Sequence, residues 1–120
     1  ININRGIINI SSLHTSCSLT INENADPRVL NDLSCYLKAI VPEEGIEINK
    51  NNTRFNYSHN EEGLDDMPAH IKTSLTSTSL SLSIEKGSLI LGNWQSVYLW
   101  EHRYEKHSRK ICLHAIGENF

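Results

Sequence analysis

From Ser79 to Ile84 the chain alternates serine with leucine or isoleucine without interruption, and a repeat of two describes a strand with one face in a core and the other in water. A helix would place Leu82 opposite Leu80 and Ile84 and bury no common face. Lys86-Gly87 then supplies a turn into a second apolar stretch, Leu89 to His102. Within it Leu89 to Trp100 is apolar on both faces and interrupted by Gly92-Asn93, which predicts a central strand carrying a bulge or a close backbone approach. The last strand, Lys110 to Ile116, is expected to pair with it. Upstream, Ile7, Ile8, Ile10 and Leu13 form a β-rich run after Gly6, and Leu19 and Ile21 continue it past a Ser/Thr cluster, as a strand with an end or a bulge between the two parts.

Two helices interrupt this β pattern. Asp26-Pro27 places an N-cap residue before a proline at the first helical position, and Val29, Leu30, Leu33, Leu37, Ile40 and Val41 recur at helical spacing up to Pro42. Asp65-Asp66-Met67-Pro68 repeats the acidic-cap-plus-proline signal, and Ala69 to Leu75 reads as a short helix whose dipole favours anions at its start. Between the helices, Glu43 to Asn60 carries no periodicity, and Asn49-Lys50-Asn51-Asn52 reads as a solvated loop insertion. This order of elements predicts an α+β fold.

A length of 120 residues with 38% hydrophobic content fits one domain, 1–120. The net charge of −3 and scattered basic residues exclude nucleic acid as the default partner. Only Arg103, Lys106, Arg109 and Lys110 cluster, and a hairpin turn would place them in solvent. No apolar run approaches the ~20 residues of a membrane span. Cys17, Cys35 and Cys112 are odd in number and widely spaced, which suits a reducing, cytoplasmic location and excludes a thiolate zinc site. The opening Ile1-Asn2-Ile3-Asn4 lacks a Met and reads as the middle of an element, so upstream sequence is expected.

His14, His59, His70 and His102 each fall at an element boundary, where scaffolds present functional groups. Two readings stand side by side. They are surface or capping residues, since no HExxH-type spacing is present. Or they converge on a zinc ion, oriented by carboxylates among Glu23, Glu62, Asp65, Asp66 and Glu101. His107, in a charged turn, and His114, in a terminal strand, are read as solvent-facing or satisfied. One of Asp65 and Asp66 serves as an N-cap, which leaves the other for chemistry. Trp94-Gln95 is either core packing beside an exposed amide or an aromatic plate with a hydrogen-bonding head for a flat heterocycle. Thr15, Ser16 and Ser18 show no Ser-His-Asp order and are read as hydrogen-bonding hydroxyls.

Taken together, His14-Thr15-Ser16, Leu19-Thr20-Ile21-Asn22-Glu23-Asn24-Ala25-Asp26-Pro27, Glu62-Gly63, Asp65-Asp66-Met67-Pro68-Ala69-His70-Ile71-Lys72, Leu91-Gly92, Trp94-Gln95 and Glu101-His102-Arg103 resemble the YjbQ family, to which a secondary thiamine-phosphate synthase activity is attached. The resemblance runs from Gly6 to Glu118. It implies an α+β fold with a large mixed, mostly antiparallel sheet or sandwich and two or three helices, a homotrimer, and a divalent metal, zinc first among them. Local departures are Cys17, Asn93, Ser96 and Trp100 and the inserted Asn49 to Asn52 tract, and Ser96 and Trp100 bear on the shape of the pocket.

The activity so implied joins hydroxymethylpyrimidine diphosphate to a thiazole phosphate and releases pyrophosphate. His59, His70 and His102 are then expected to hold the metal, and His14, Asp65 and Glu101 to be catalytic. Substrate contacts fall to Asn22, Glu23, Asn24, Asp66, Lys72, Trp94, Gln95 and Arg103. Arg103 and Lys72 would meet phosphate, Trp94 would stack on the pyrimidine, and Gln95 and Glu101 would read its amino edge. The alternatives are metal-assisted hydrolysis with Asp65 or Glu101 as general base, and a non-catalytic trimer that binds a metabolite or metal.

Overall fold

The computed structural model describes residues 2–48 and 53–119; the Asn49 to Asn52 tract lies outside them. β1 (Arg5–Ser12), β2 (Cys17–Glu23), α1 (Pro27–Ile40), β3 (Ile46–Glu47), β4 (Arg54–Phe55), α2 (Asp66–Leu75), β5 (Ser79–Glu85), β6 (Ser88–Leu89), β7 (Gln95–Glu101) and β8 (Ile111–Glu118) follow in order. β6, β5, β1 and β8 form a four-stranded sheet, β2 pairs with β7, and β3 with β4. Every registered pair is antiparallel.

The Ser/Leu alternation does what its period requires. Ile84 is buried with Leu80 and Leu82 packed behind it, joining Ile8, Ile10 and Leu19 in one core. On the other face Asn9 donates to the hydroxyls of Ser79 and Ser81 across the strands. The β5–β6 turn has positive φ at both Lys86 (52°) and Gly87 (77°), the backbone a two-residue hairpin of right-handed twist needs. Gly6 and Gly117 face each other across β1 and β8. A Cβ on Gly6 would collide with the Ile116 carbonyl oxygen, and one on Gly117 with that of Arg5, so the strands come this close only with glycine at both places.

α1 starts as expected, with Asp26 accepting from the Arg28 N–H and Pro27 in the first turn; α2 begins earlier than Ala69, at Asp66, and Asp65 makes no side-chain cap because its carboxylate is taken by Arg103 and the Tyr104 N–H. Glu43 to Asn60, expected to be structureless, holds the two-residue strands β3 and β4. Ile7 to Ile21 takes the strand-end alternative, as β1 and β2 lie in separate sheets. Two strand expectations fail. Leu89 to Trp100 is not one strand: residues 90–94 leave the first sheet, and the chain re-enters as β7 beside β2. Asn24 enforces this break by donating to the Asn93 and Gln95 carbonyls, while the Gln95 side chain accepts from the Gly92 N–H. β8 therefore pairs with β1, where Leu113 faces Ile10 and Ala115 faces Ile8.

The core is thin. The radius of gyration is 17.9 Å, against about 14 Å for a compact chain of this length. Ile7, Leu64, Leu113 and Ile116 are all more than half exposed. No helix among the described residues is long and apolar enough to cross a membrane.

Candidate metal centre

One turn of α2 sets the geometry. Asp66 and His70 are four residues apart and so lie on the same face of the helix. The loop before α2 returns His59 to that face, where its Nε2 lies 2.7 Å from Asp66 Oδ2 and 3.1 Å from Glu62 Oε2. His70 Nε2 lies 3.3 Å from the same Asp66 oxygen. The ligating atoms of His59, Asp66 and His70 are all within 4.8 Å of one another. A tetrahedral ion with bonds of 2.0–2.1 Å requires about 3.3 Å between them, an adjustment side chains make alone.

Asp66 is 3% exposed, and a carboxylate there needs partners for both oxygens. Arg103 Nη1 donates to Oδ1 at 2.8 Å, which leaves Oδ2 for the imidazoles. The same guanidinium donates from Nε to Asp65 and from Nη2 to the Glu62 carbonyl. Asp65 also accepts from the Tyr104 N–H. Burial alone would raise the Asp66 carboxyl, but the hydrogen bond with His59 and the charges of His70 and Arg103 hold it below its ordinary value. His59 is raised, chiefly by its hydrogen bond to Asp66.

The tautomer of His70 is fixed from behind. Its Nδ1 is 2.9 Å from the Thr15 carbonyl oxygen, an acceptor only, so Nδ1 carries the proton. In the neutral ring Nε2 then turns a lone pair toward the Asp66 carboxylate, and two acceptors face each other at 3.3 Å. A proton or a cation must lie between them.

His102, expected in this set, is elsewhere: it is buried, with Nε2 2.9 Å from Ser18 Oγ. Burial, with a smaller push from Lys72, lowers its pKa to about 4. The candidate metal set is thus two histidines and Asp66, a residue expected to contact substrate instead. The four-residue spacing of Asp66 and His70 was the signal for it. His14 lines a hydroxyl-rich cleft of about 580 Å³ with His70, Thr73 and Thr78, and its Nε2 accepts the Lys110 N–H. Thr73 is 7% exposed, and its Oγ1 has no hydrogen-bond partner among the described residues.

The two proposed general bases are both spoken for. Asp65 is held by Arg103, and Glu101 by Arg109, which also bonds Ser16. Burial would raise the Glu101 carboxyl, but the Arg109 and Arg103 N–H groups outweigh it and leave it lowered. Arg103 and Arg109, expected in solvent, are therefore structural cations, with side chains 17% and 8% exposed. Lys72 lines a different cavity, with His102.

The remaining expected substrate residues stand apart. Glu23 accepts from the Ala25 and Asp26 N–H groups, and Asn22 from the Glu23 N–H, shaping the turn into α1. Asn24 and Gln95 hold the 90–94 loop, and Trp94 is 65% exposed. In the β2–β7 register Glu23 faces Gln95 at one end and Cys17 faces Glu101 at the other. Six residues of strand put about 20 Å between the two groups.

Comparison with known proteins bears on the whole fold. A UPF0047 protein of Synechocystis sp. is 47% identical over 97% of this chain and 73% of its own length. The UPF0047 protein YjbQ of Escherichia coli O157:H7 is 42% identical over 97% and 77%. The crystal structure of an uncharacterized conserved protein of the YjbQ/UPF0047 family from Clostridium acetobutylicum superimposes with a TM-score of 0.78 at 32% identity, covering 95% of this chain and 78% of that one. A conserved hypothetical protein from Thermus thermophilus gives 0.75 at 31%, covering 96% and 81%. The family model described as UPF0047 protein YjbQ-like matches residues 1–118. The chain belongs to the UPF0047 YjbQ-like family.

Proposed function

We propose that this protein is a divalent-metal enzyme centred on His59, Asp66 and His70, and that it transfers the pyrimidinylmethyl group of hydroxymethylpyrimidine diphosphate to the ring nitrogen of a thiazole phosphate with release of pyrophosphate, the reaction the YjbQ resemblance implies. The observation that carries the metal is the convergence of three ligand atoms, from His59, Asp66 and His70, within 4.8 Å of one another, with His70 Nδ1 bonded to the Thr15 carbonyl so that its Nε2 faces the centre. Two imidazoles and one carboxylate suit zinc and leave a coordination position for substrate. A cation bound there would neutralise the oxygens of a departing diphosphate.

The chain's own groups support the rest of this reading. Arg103 and Thr15 orient Asp66 and His70 from outside the centre. His59 releases a proton when the cation enters, because its Nε2 serves either partner. The cleft beside His70 has small-molecule dimensions and hydroxyl walls without a lysine or arginine, so diphosphate charge has to be met at the cation. Transfer is preferred over hydrolysis because the candidate bases, Asp65 and Glu101, are both bound by arginine. A homotrimer is part of the proposal. The thin core and exposed apolar residues favour association, and a neighbouring copy would have to bring Trp94 and Gln95 to the cleft.

The test is metal content and condensation activity in the parent, His59→Ala, His70→Ala and Asp66→Asn. The expected parent carries one zinc per chain and makes thiamine phosphate, and each variant loses both by about tenfold or more. A parent that binds zinc but neither releases pyrophosphate nor forms product rejects the transfer reaction. Variants that retain the parent's zinc affinity reject the centre itself.

A further inference from the structure

On the other side of α2 a second cavity, of about 170 Å³, opens between Lys38, Lys72, His102, Trp100 and Tyr104. It shares no lining residue with the hydroxyl-walled cleft. His70 and Lys72 are two positions apart in a helix of 3.6 residues per turn, so they leave α2 in nearly opposite directions. Lys38 comes from the last turn of α1, with its ammonium 5.9 Å from the centre of the Tyr104 ring.

The charges around this cavity do not balance. Arg103 and Glu101 also line it, but Arg103 is neutralised by Asp65 and Asp66, and Glu101 by Arg109. Among the described residues no carboxylate comes within ion-pair distance of Lys38 or Lys72. Two ammonium groups sharing one concave surface repel each other, and an anion between them removes that repulsion.

We infer that this cavity is a binding site for a phosphate-sized oxyanion, clamped by Lys38 and Lys72 and floored by the buried His102 ring. The volume admits one phosphoryl group and a few further atoms, and Trp100 and Tyr104 give an aromatic substituent somewhere to lie. The ligand class is inorganic phosphate or a small phosphomonoester. The site is independent of the metal centre and is tested without metal.

Trp94→Phe leaves Trp100 as the sole tryptophan, since the chain has two. In that background, with chelator present, inorganic phosphate and phenyl phosphate are titrated while Trp100 fluorescence is followed. Saturable binding is expected, weakened about tenfold or more by Lys38→Met or Lys72→Met and unchanged by His59→Ala. Lys72→Arg should retain it. Binding of phenyl phosphate alone identifies a phosphomonoester site, and equal binding of both identifies a phosphate site. No saturable response to either ligand, equal affinity in both methionine variants, or loss in His59→Ala alone overturns the assignment. Circular dichroism confirms that each variant is folded.

Discussion

Acidifying the metal-free protein from about pH 7 to about pH 5 should remove stability through one residue, His102. The ring is 5% exposed, and burial lowers its pKa from 6.5 to about 4. The unfolded chain then takes up a proton that the native chain refuses, so the contribution is complete above about 6.5 and is lost as the pH falls toward about 4. A gap of about 2.5 units at about 1.4 kcal/mol each sets an upper bound of about 3 kcal/mol, of which about 2 has gone at pH 5. Because the ring borders a solvent-open cavity, screening trims both figures. His59 acts with the opposite sign. Its folded pKa is raised, so its contribution is present below about 6.5 and is lost as the pH rises through the folded value. The depressed carboxyls of Asp66 and Glu101 titrate below this window, so they do not shape it. Urea unfolding at fixed protein concentration, with chelator, should therefore show a stability maximum near pH 6.5. On the acid side the midpoint should fall by about 1 M at pH 5. His102→Gln keeps a neutral partner for Ser18 and should flatten the acid side alone. A parent midpoint that does not move between about pH 5 and 7, or a glutamine variant with the parent's full acid loss, refutes the reasoning.

Two further substitutions probe the frame that holds the centre. Arg109→Met leaves Glu101 with the Arg103 N–H as its remaining donor and should cost about 2 kcal/mol by urea unfolding, largely recovered in the double variant with Glu101→Gln; a double variant as unstable as the single would mean that the pair is not coupled. Gly6→Ala drives a methyl group into the Ile116 carbonyl and should cost about 2 kcal/mol or more, with hydrogen exchange accelerated along β8; Gly87→Ala, at a positive φ but meeting only the Ile3 carbonyl oxygen at an ordinary 3.9 Å, should cost about 1 kcal/mol and leave β8 protected.

What could be read from the sequence was what a short segment decides alone. The β5 alternation and the Asp26-Pro27 cap are set by neighbours in sequence; the Asp65-Asp66 run marked where α2 begins, but Asp65 spends its carboxylate on Arg103 and Tyr104 rather than on a cap. Strand partnership is decided at long range, and there the reading failed. The 90–94 break depends on Asn24, some seventy positions upstream, spending its amide on the Asn93 and Gln95 carbonyls. No window around Gly92 contains that residue. The same cause misplaced His102. As the close of one long strand it was free to join the other histidines, but β7 pairs with β2 and carries it against Ser18. Burial there deprives it of its charge, so a residue read as a metal ligand becomes a neutral wall of the lysine-lined cavity.

Asp66 shows the converse. Its four-residue offset from His70 was legible, but a carboxylate at a helix start already has an ordinary role as a cap. Only the tertiary contact with Arg103 separates the two roles. By occupying Oδ1, Arg103 leaves a single oxygen for His59 and His70. Arg103 therefore acts as the positioning residue of the centre. Its replacement by Lys, which keeps the charge but cannot span Asp65, Asp66 and the Glu62 carbonyl together, should weaken zinc binding more than it lowers stability. Equal losses in both would make Arg103 a fold residue only.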